Sequence, residues 1–525
     1  MVILQRLLGY GYFPADLPPP FNTKKFASTF SSSDVKRWED MVISWSNSRN
    51  NKIESRCCIY SKPRFHNIRR NFSIPNPLYH AILCNHIERN WGEISNFIAQ
   101  SQLSISRPII PIQFKKASRS FEQMADSFNQ KEKVVLESSI FRVMLKADIS
   151  RYYNSLYTHS IPWALHGKQK AKKQRGNALC GNLLDKWVRS LRDGQTLGIP
   201  VGPDSSLIIS EILGTAIEMD LKNSGVSLKG VRYIDDFTLF FRDKKEAYDA
   251  LTKLHNILNK YELEINPQKT IIDEAPFIFE PDWVSYIRQY SFREINKKHG
   301  IQSQRTDIID FFSRSFEYDS RYENKNVLLY AIKRFAKVNI LKENWGLTES
   351  LLLKTIILNG TCIPWVIKII LEYKNKNYPV DNDNLQTAIN EIILYHSQYG
   401  HDYEITWALW FSYQLNLNIP PEINQFIENN INPIVIIMAL FLRDNGLIKD
   451  INISNWEKYM TSDNLYDEYW LLAYEANIKG WLSISGNNYL DQDPFYKELK
   501  DKNIVFFEED YTSIEPPSEE YMFKF

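Results

Sequence analysis

The spacing of apolar residues changes character near position 281. Before it, FRVMLKAD at 141–148 reads as a strand, and VRYIDDFTLFF at 231–241 reads as a strand pair interrupted by acids at its tip. Helical spacing predicts helices over 205–221 and 244–262, a strand over 264–272, and upstream one helix from Pro75 to Ile98 whose apolar face carries Leu78, Ile82, Ile87, Trp91, Ile94 and Phe97. Strand, helix, hairpin, helix, strand is the order of an α+β domain. After 281 the strand signals fade, and helices are expected at 350–358, 365–373, 385–395, 403–415 and 469–478. Residues 1–60 mix Pro, Ser and basic positions and predict an extended N-terminal arm with a short helix near 33–46. The expected division is therefore 1–60, 61–280 and 281–525.

Charge adds a local feature only. Lys plus Arg number 63 against 62 Asp plus Glu, so the whole chain is not a polycation. Between Arg49 and Arg70, however, seven basic residues face one acid, and Lys168–Arg175 holds five basic residues and no acid. Residues 501–525 carry seven acids against two lysines, which excludes that end as a phosphate surface. Five cysteines without metal-type spacing indicate a reducing compartment. The longest apolar run, Ile434–Leu442, is too short to span a bilayer, which needs roughly 20 residues. The expectation is a soluble cytoplasmic protein with no membrane partner.

The candidate chemistry lies at Tyr233-Ile234-Asp235-Asp236. Adjacent aspartates in an apolar hairpin are costly unless a cation neutralises them. Asp148, ending the earlier strand, supplies a third carboxylate, and side-by-side strand ends could hold two Mg²⁺ ions about 4 Å apart for in-line nucleotidyl transfer. A Tyr-x-Asp-Asp string arises by chance on the order of 0.1 times in such a chain, so it is weak evidence alone.

Order and spacing of further motifs raise it: residues 65–280 resemble reverse transcriptases. ADISRYYNSLYTH at 147–159 resembles the family's first catalytic motif, which implies that Asp148 and the Ile149 carbonyl hold metal and that Tyr153 excludes a ribose 2′-hydroxyl. GIPVGPDSS at 198–206 is similar to the loop beneath the incoming nucleotide, implying nucleotide contacts at Pro200, Val201 and Gly202. NPQKT at 266–270 resembles the motif whose lysine, here Lys269, stands near the triphosphate. Where the family usually reads Pro-Gln-Gly, this chain reads Pro200-Val201-Gly202, which puts ordinary templated copying in question. Arg69, Arg70, Lys115, Lys116 and Arg119 fall where finger residues would touch phosphates, although a solvated charge is the commoner role for each.

Three further strings, FPADLPPPF at 13–21, SLYTHSIPWALHGK at 155–168 and GIPVGPDSSLIISEI at 198–212, resemble bacterial abortive-infection, defence-associated reverse transcriptases. The implied fold is an α+β right-hand polymerase (fingers and palm) followed by an α-helical, repeat-like or thumb-like C-terminal domain. The implied function is antiphage DNA synthesis from dNTPs with two Mg²⁺ ions by a homo-oligomer. Synthesis is protein-primed or untemplated in some members and dependent on a non-coding RNA in others. Two alternatives stay open: a conventional reverse transcriptase copying an RNA template from a nucleic-acid primer, and a non-catalytic RNA-binding scaffold. Three mutually repelling carboxylates count against the scaffold.

Other chemistry-bearing residues have plainer readings. On a continuous helix His396 and His401 lie about 140° apart, so with Glu404 they predict capping or packing rather than metal ligation. His159 and His166 predict structural hydrogen bonds, and the adjacent Cys57 and Cys58 predict plain thiols.

Overall fold

The strands expected around the acidic hairpin build a four-stranded antiparallel sheet. This computed structural model describes residues 2–49, 54–65, 68–111, 119–123, 127–293, 300–322 and 326–510. Its strands are β1 (Cys58–Phe65), β2 (Ile68–Ile74), β3 (Pro108–Ile109), β4 (Glu122–Gln123), β5 (Val143–Asp148), β6 (Gly230–Tyr233), β7 (Asp236–Phe241) and β8 (Ile271–Glu274). The central sheet has the order β6-β7-β5-β8, while β1-β2 and β3-β4 are separate two-stranded ribbons.

Two helices cover the sheet. Lys244–Lys260 buries Ala247, Ala250, Leu254, Ile257 and Leu258 at helical spacing and packs on β5 and β7. Its start is fixed by two side-chain bonds: the Asp243 cap accepts from Glu246 N at 2.9 Å, and Glu246 accepts from Arg242 N, just before the cap, at 3.0 Å. The other helix, Asp204–Asn223, is buried over most of its length and lies against the first.

Two expected elements differ. The helix expected over 75–98 is two, Pro77–Arg89 and Trp91–Ile98, because Asn90 leaves helical geometry and its amide bonds back to His86 O at 2.8 Å. The strand expected over 264–272 shrinks to β8 because Asn266 caps a 3₁₀ turn at Pro267–Lys269, and proline has no N–H for a ladder.

After β8 the chain is helical among the described residues, from Asp282–Gln289 to Pro494–Asp501. The apolar run at 434–442 is a core helix, Pro433–Asp444, packed between Asp402–Leu415 and Trp470–Lys479. Among the described residues no helix is long and apolar enough to cross a membrane.

The N-terminal stretch is folded rather than extended. It forms helices Ile3–Gly9, Lys24–Thr29 and Ser32–Arg49, and its prolines separate aromatic anchors that reach the far end of the chain. Phe21 packs edge-on against Phe507 at 4.9 Å and Trp38 against Phe495 at 4.9 Å, while Asn22 N donates to Phe506 O at 3.1 Å and Glu508 N to Pro20 O at 2.9 Å. Buried aromatic area outweighs the irregular backbone that suggested an arm. One apolar cluster runs from Leu4 to Phe507.

Phe507 is wholly buried in this seam. Phe507→Ala is expected to lower unfolding free energy by about 3–5 kcal/mol, measured by urea titration; an unchanged midpoint would contradict the seam.

Candidate active site

Strand register brings the acids together. Asp148 at the end of β5 pairs directly with Asp236 at the start of β7, and Asp235 occupies the turn before it. Carboxylate oxygens of Asp148, Asp235 and Asp236 lie within 4.8 Å of one another. Three hard oxygen donors suit a magnesium-class cation. Burial pushes the Asp148 carboxyl up, but hydrogen bonds with Asp236, Asn266 and Lys269 outweigh it and leave the pKa below the usual carboxylate value. Asn266 Nδ2 donates to Asp148 Oδ2 at 2.8 Å, and Lys269 Nζ stands 3.1 Å from the same oxygen.

The turn is held in a conformation its residue resists. Ile234 has φ +54°, a left-handed geometry disfavoured for a β-branched side chain. Its N–H donates to Ser106 Oγ at 2.7 Å, and its carbonyl accepts from Arg232 Nη1 at 2.8 Å. Both clamps are anchored on the Asp204–Asn223 helix. Arg232 pairs with Glu218 at 2.6 Å and Glu211 at 3.1 Å, and Ser106 Oγ donates to Glu211 at 2.6 Å. Burial works against the Arg232 charge, yet the two glutamates raise its pKa well above the ordinary value. Gly214 lies between them on the same helix face, and a Cβ there would come within 2.3 Å of Arg232 Nη1.

Tyr153 interacts electrostatically with Asp235, and Ile199 N, at the edge of the Pro200–Gly202 loop, donates to Tyr153 O at 2.8 Å. Arg151, at φ +48°, turns the chain sharply after β5; Tyr152 then enters the core, and Tyr153 stays half-buried with its hydroxyl 3.4 Å from Ser210 Oγ. Ile149 makes an isolated bridge with Ile265. Gly202, at φ +122°, lets Phe72 of β2 close over the Pro200–Gly202 loop, since a Cβ would lie 3.3 Å from its ring. Val201 O accepts from Ser73 N at 2.8 Å.

With that geometry in place, comparison with known proteins decides the class of domain. Residues 96–279 match the family described as reverse transcriptase (RNA-dependent DNA polymerase). This segment is a reverse-transcriptase domain. It contains all three aspartates, Tyr153, the Gly202 loop and Lys269. No curated protein matches the chain. Among solved structures, it is similar to telomerase from Candida albicans in complex with a TWJ fragment of telomeric RNA, at 14% identity and a TM-score of 0.31, covering 74% of this chain and 66% of that one. The chain thus spans just under two thirds of that neighbour's length.

The basic residues around the reverse-transcriptase domain separate into distinct roles. Arg119 is buried, donating to Phe13 O and Gly202 O at 2.7 Å each and pairing with Asp204; it braces the loop instead of meeting phosphate. Arg69 pairs with Glu404 through both of its terminal nitrogens. Arg70 is half-buried and pairs with Lys62 across the β1–β2 ribbon. Lys115 and Lys116 lie outside the described residues. Lys168, Lys170, Lys172, Lys173 and Arg175 are exposed, with Lys168 Nζ 4.0 Å over the Trp163 ring.

A break in the helix brings two histidines together. Gly400, at φ +62°, ends one helix and lets the next begin at Asp402, so His396 and His401 are not on a continuous helix. Their Nδ1 atoms lie 2.8 Å apart, and with Glu404 the potential ligand atoms fall within 4.8 Å of one another. The Arg69 guanidinium, 2.9 and 2.7 Å from the two Glu404 oxygens, already supplies the positive charge there. His159 bonds to Asp185 at 2.7 Å, and His166 Nε2 accepts from Gly181 N at 3.0 Å. Cys57 and Cys58 are buried thiols, and burial pushes Cys57 up to about 12.

Gly→Ala in mid-helix ordinarily stabilises by about 1 kcal/mol. At Gly214 the added methyl must displace Arg232, so Gly214→Ala is expected to lower the thermal midpoint. A raised midpoint would show that the clamp behind Ile234 is slack.

Proposed function

We propose that the chain is a DNA polymerase of the reverse-transcriptase type in which Asp148, Asp235 and Asp236 are the catalytic carboxylates. The observation that carries this reading is the direct pairing of Asp148 with Asp236 beside Asp235, which converges three carboxylates in a reverse-transcriptase domain. Residues 61–280 act as fingers and palm, 1–60 as an N-terminal segment bound to both halves, and 281–525 as a helical domain.

Two magnesium ions held by the three carboxylates and the Ile149 carbonyl would activate a 3′-hydroxyl and stabilise departing pyrophosphate. The chain's own residues supply the rest. Tyr153 crowds the ribose so that a 2′-hydroxyl is excluded, giving preference for dNTPs. Lys269, within reach of Asp148, offers positive charge or a proton to the leaving pyrophosphate. Pro200, Val201 and Gly202 contact the incoming nucleotide from a loop that Phe72 braces at Gly202. Arg70 presents a guanidinium to the triphosphate.

The strings at 13–21, 155–168 and 198–212 support assignment to the antiphage, abortive-infection group acting in the cytoplasm as a homo-oligomer. The same resemblance supports protein-primed or untemplated synthesis, or synthesis guided by a non-coding RNA, and Val201 in place of the usual glutamine counts against ordinary templated copying. The family match favours a second reading, conventional copying of an RNA template from a nucleic-acid primer.

Purified protein given Mg²⁺ and labelled dNTPs is expected to incorporate label, and Asp235→Ala with Asp236→Ala to reduce incorporation to background with the fold intact. Retained activity in that variant would contradict the assignment. Label released from protein only by protease indicates protein priming; extension only of an added primer on RNA indicates the second reading. Tyr153→Ala is expected to admit ribonucleotides, read as a raised rNTP-to-dNTP incorporation ratio; an unchanged ratio would remove Tyr153 as the gate.

A further inference from the structure

The helical half reaches the candidate nucleotide site through the β1–β2 hairpin. A two-stranded ribbon is marginally stable by itself and needs outside support. That support comes from the first turn of the Asp402–Leu415 helix. Asp402 Oδ2 accepts from Ser61 N at 3.2 Å and Ser61 Oγ at 2.9 Å. Arg69 donates to Ser61 Oγ at 3.0 Å and Ser61 O at 2.8 Å while its two terminal nitrogens grip Glu404 at 2.9 and 2.7 Å. This fork is held out of water: the Glu404 side chain is 2% exposed and that of Arg69 14%. The turn at Gly360–Cys362 leaves room for it, since a Cβ on Gly360 would come within 2.5 Å of Glu404 Cγ. Asn432 Nδ2 adds a bond to Ile59 O at 2.8 Å from a second helix start.

Strand geometry carries this anchorage to the other side. Successive side chains alternate faces, so fixing Arg69 toward the helical half directs Arg70 and Phe72 the opposite way. Phe72 closes against Gly202, and Ser73 N bonds to Val201 O, so the opposite face is the one on the Pro200–Gly202 loop. Arg70 therefore shares its face with the residue that covers that loop. Electrostatics agree: burial and Arg64 lower the Arg70 pKa, and the opposing pull comes from Asp16, Asp235 and Tyr153, two of which belong to the candidate site.

We propose that Glu404 of the helical half is a positioning residue for nucleotide binding: through its two-point grip on Arg69 it fixes β2 so that Arg70 meets the triphosphate of the incoming nucleotide. The helical half is then a wall of the nucleotide site, and anything that shifts the start of the Asp402–Leu415 helix changes nucleotide affinity. This inference rests on the reading of Asp148, Asp235 and Asp236 as a polymerising centre.

The test is steady-state dNTP incorporation by the full chain and by Glu404→Gln, Ser61→Ala, Arg70→Ala and Glu404→Gln/Arg70→Ala, each checked for folding by circular dichroism. Glu404→Gln is expected to raise the KM for dNTP about tenfold with a smaller change in kcat. Ser61→Ala, the milder change, moves KM the same way and decides the matter should Glu404→Gln fail to fold. Arg70→Ala raises KM by itself, and the double variant is no worse than Arg70→Ala, because the grip acts only through Arg70. An unchanged KM in folded Glu404→Gln or Ser61→Ala, or effects of Glu404→Gln and Arg70→Ala that multiply in the double variant, overturns the proposal while leaving the polymerase reading intact. Absence of incorporation by the unaltered chain under all conditions overturns the polymerase reading, and this inference with it.

Discussion

Mutual repulsion of three carboxylates is the constraint around which the rest of the molecule is arranged. Asp148, Asp235 and Asp236 converge because β5 and β7 pair with their acidic ends level, and nothing in the local sequence favours that crowding. The opposing forces come from behind the turn. Ser106 and Arg232 hold both backbone polar groups of Ile234, and both are fixed to Glu211. A buried arginine shared between two glutamates costs desolvation, but losing one partner of such a group costs more than the group itself contributes. The triad therefore acts as a one-way lock: it keeps a strained turn in place by making every partial release expensive.

The same logic joins the halves of the chain. Phe13, Phe21 and Trp38 near the N-terminus complete an aromatic seam with Phe495, Phe506 and Phe507, and the β1–β2 hairpin rests on the Asp402–Leu415 helix. The reverse-transcriptase domain thus sits in a frame whose two ends are closed on each other. Under this reading the helical half belongs to the working geometry of the site and is more than an appended module.

Much of this was legible in the sequence. β5, the β6–β7 hairpin and the two helices at 204–223 and 244–260 follow from apolar runs and helical spacing, and the five helices expected after 281 appear where apolar periodicity put them, among others it did not anticipate. The acid cluster was legible because two carboxylates inside an apolar hairpin require an explanation. What escaped depends on contacts between residues far apart in the chain. The β1–β2 hairpin is rich in Arg and Lys and interrupted by Pro63, so its period of two is masked. Its stability comes from Asp402 and Glu404, more than 300 residues away. Arg119 read as a surface charge because its partners, Phe13 O, Gly202 O and Asp204, become neighbours only on folding. The His396–His401 contact escaped because Gly400 breaks a helix that spacing alone treats as continuous. A glycine between two histidines was the signal that could have found it.

The central claim is that the three aspartates form a divalent-cation centre for nucleotidyl transfer. Its most direct measurement is a manganese titration followed by electron paramagnetic resonance on the full chain with a non-hydrolysable dNTP analogue. Two bound ions per chain, reduced by Asp148→Asn and by Asp236→Asn in folded protein, are the result this account predicts. Manganese binding that is absent, or indifferent to both substitutions, would contradict it.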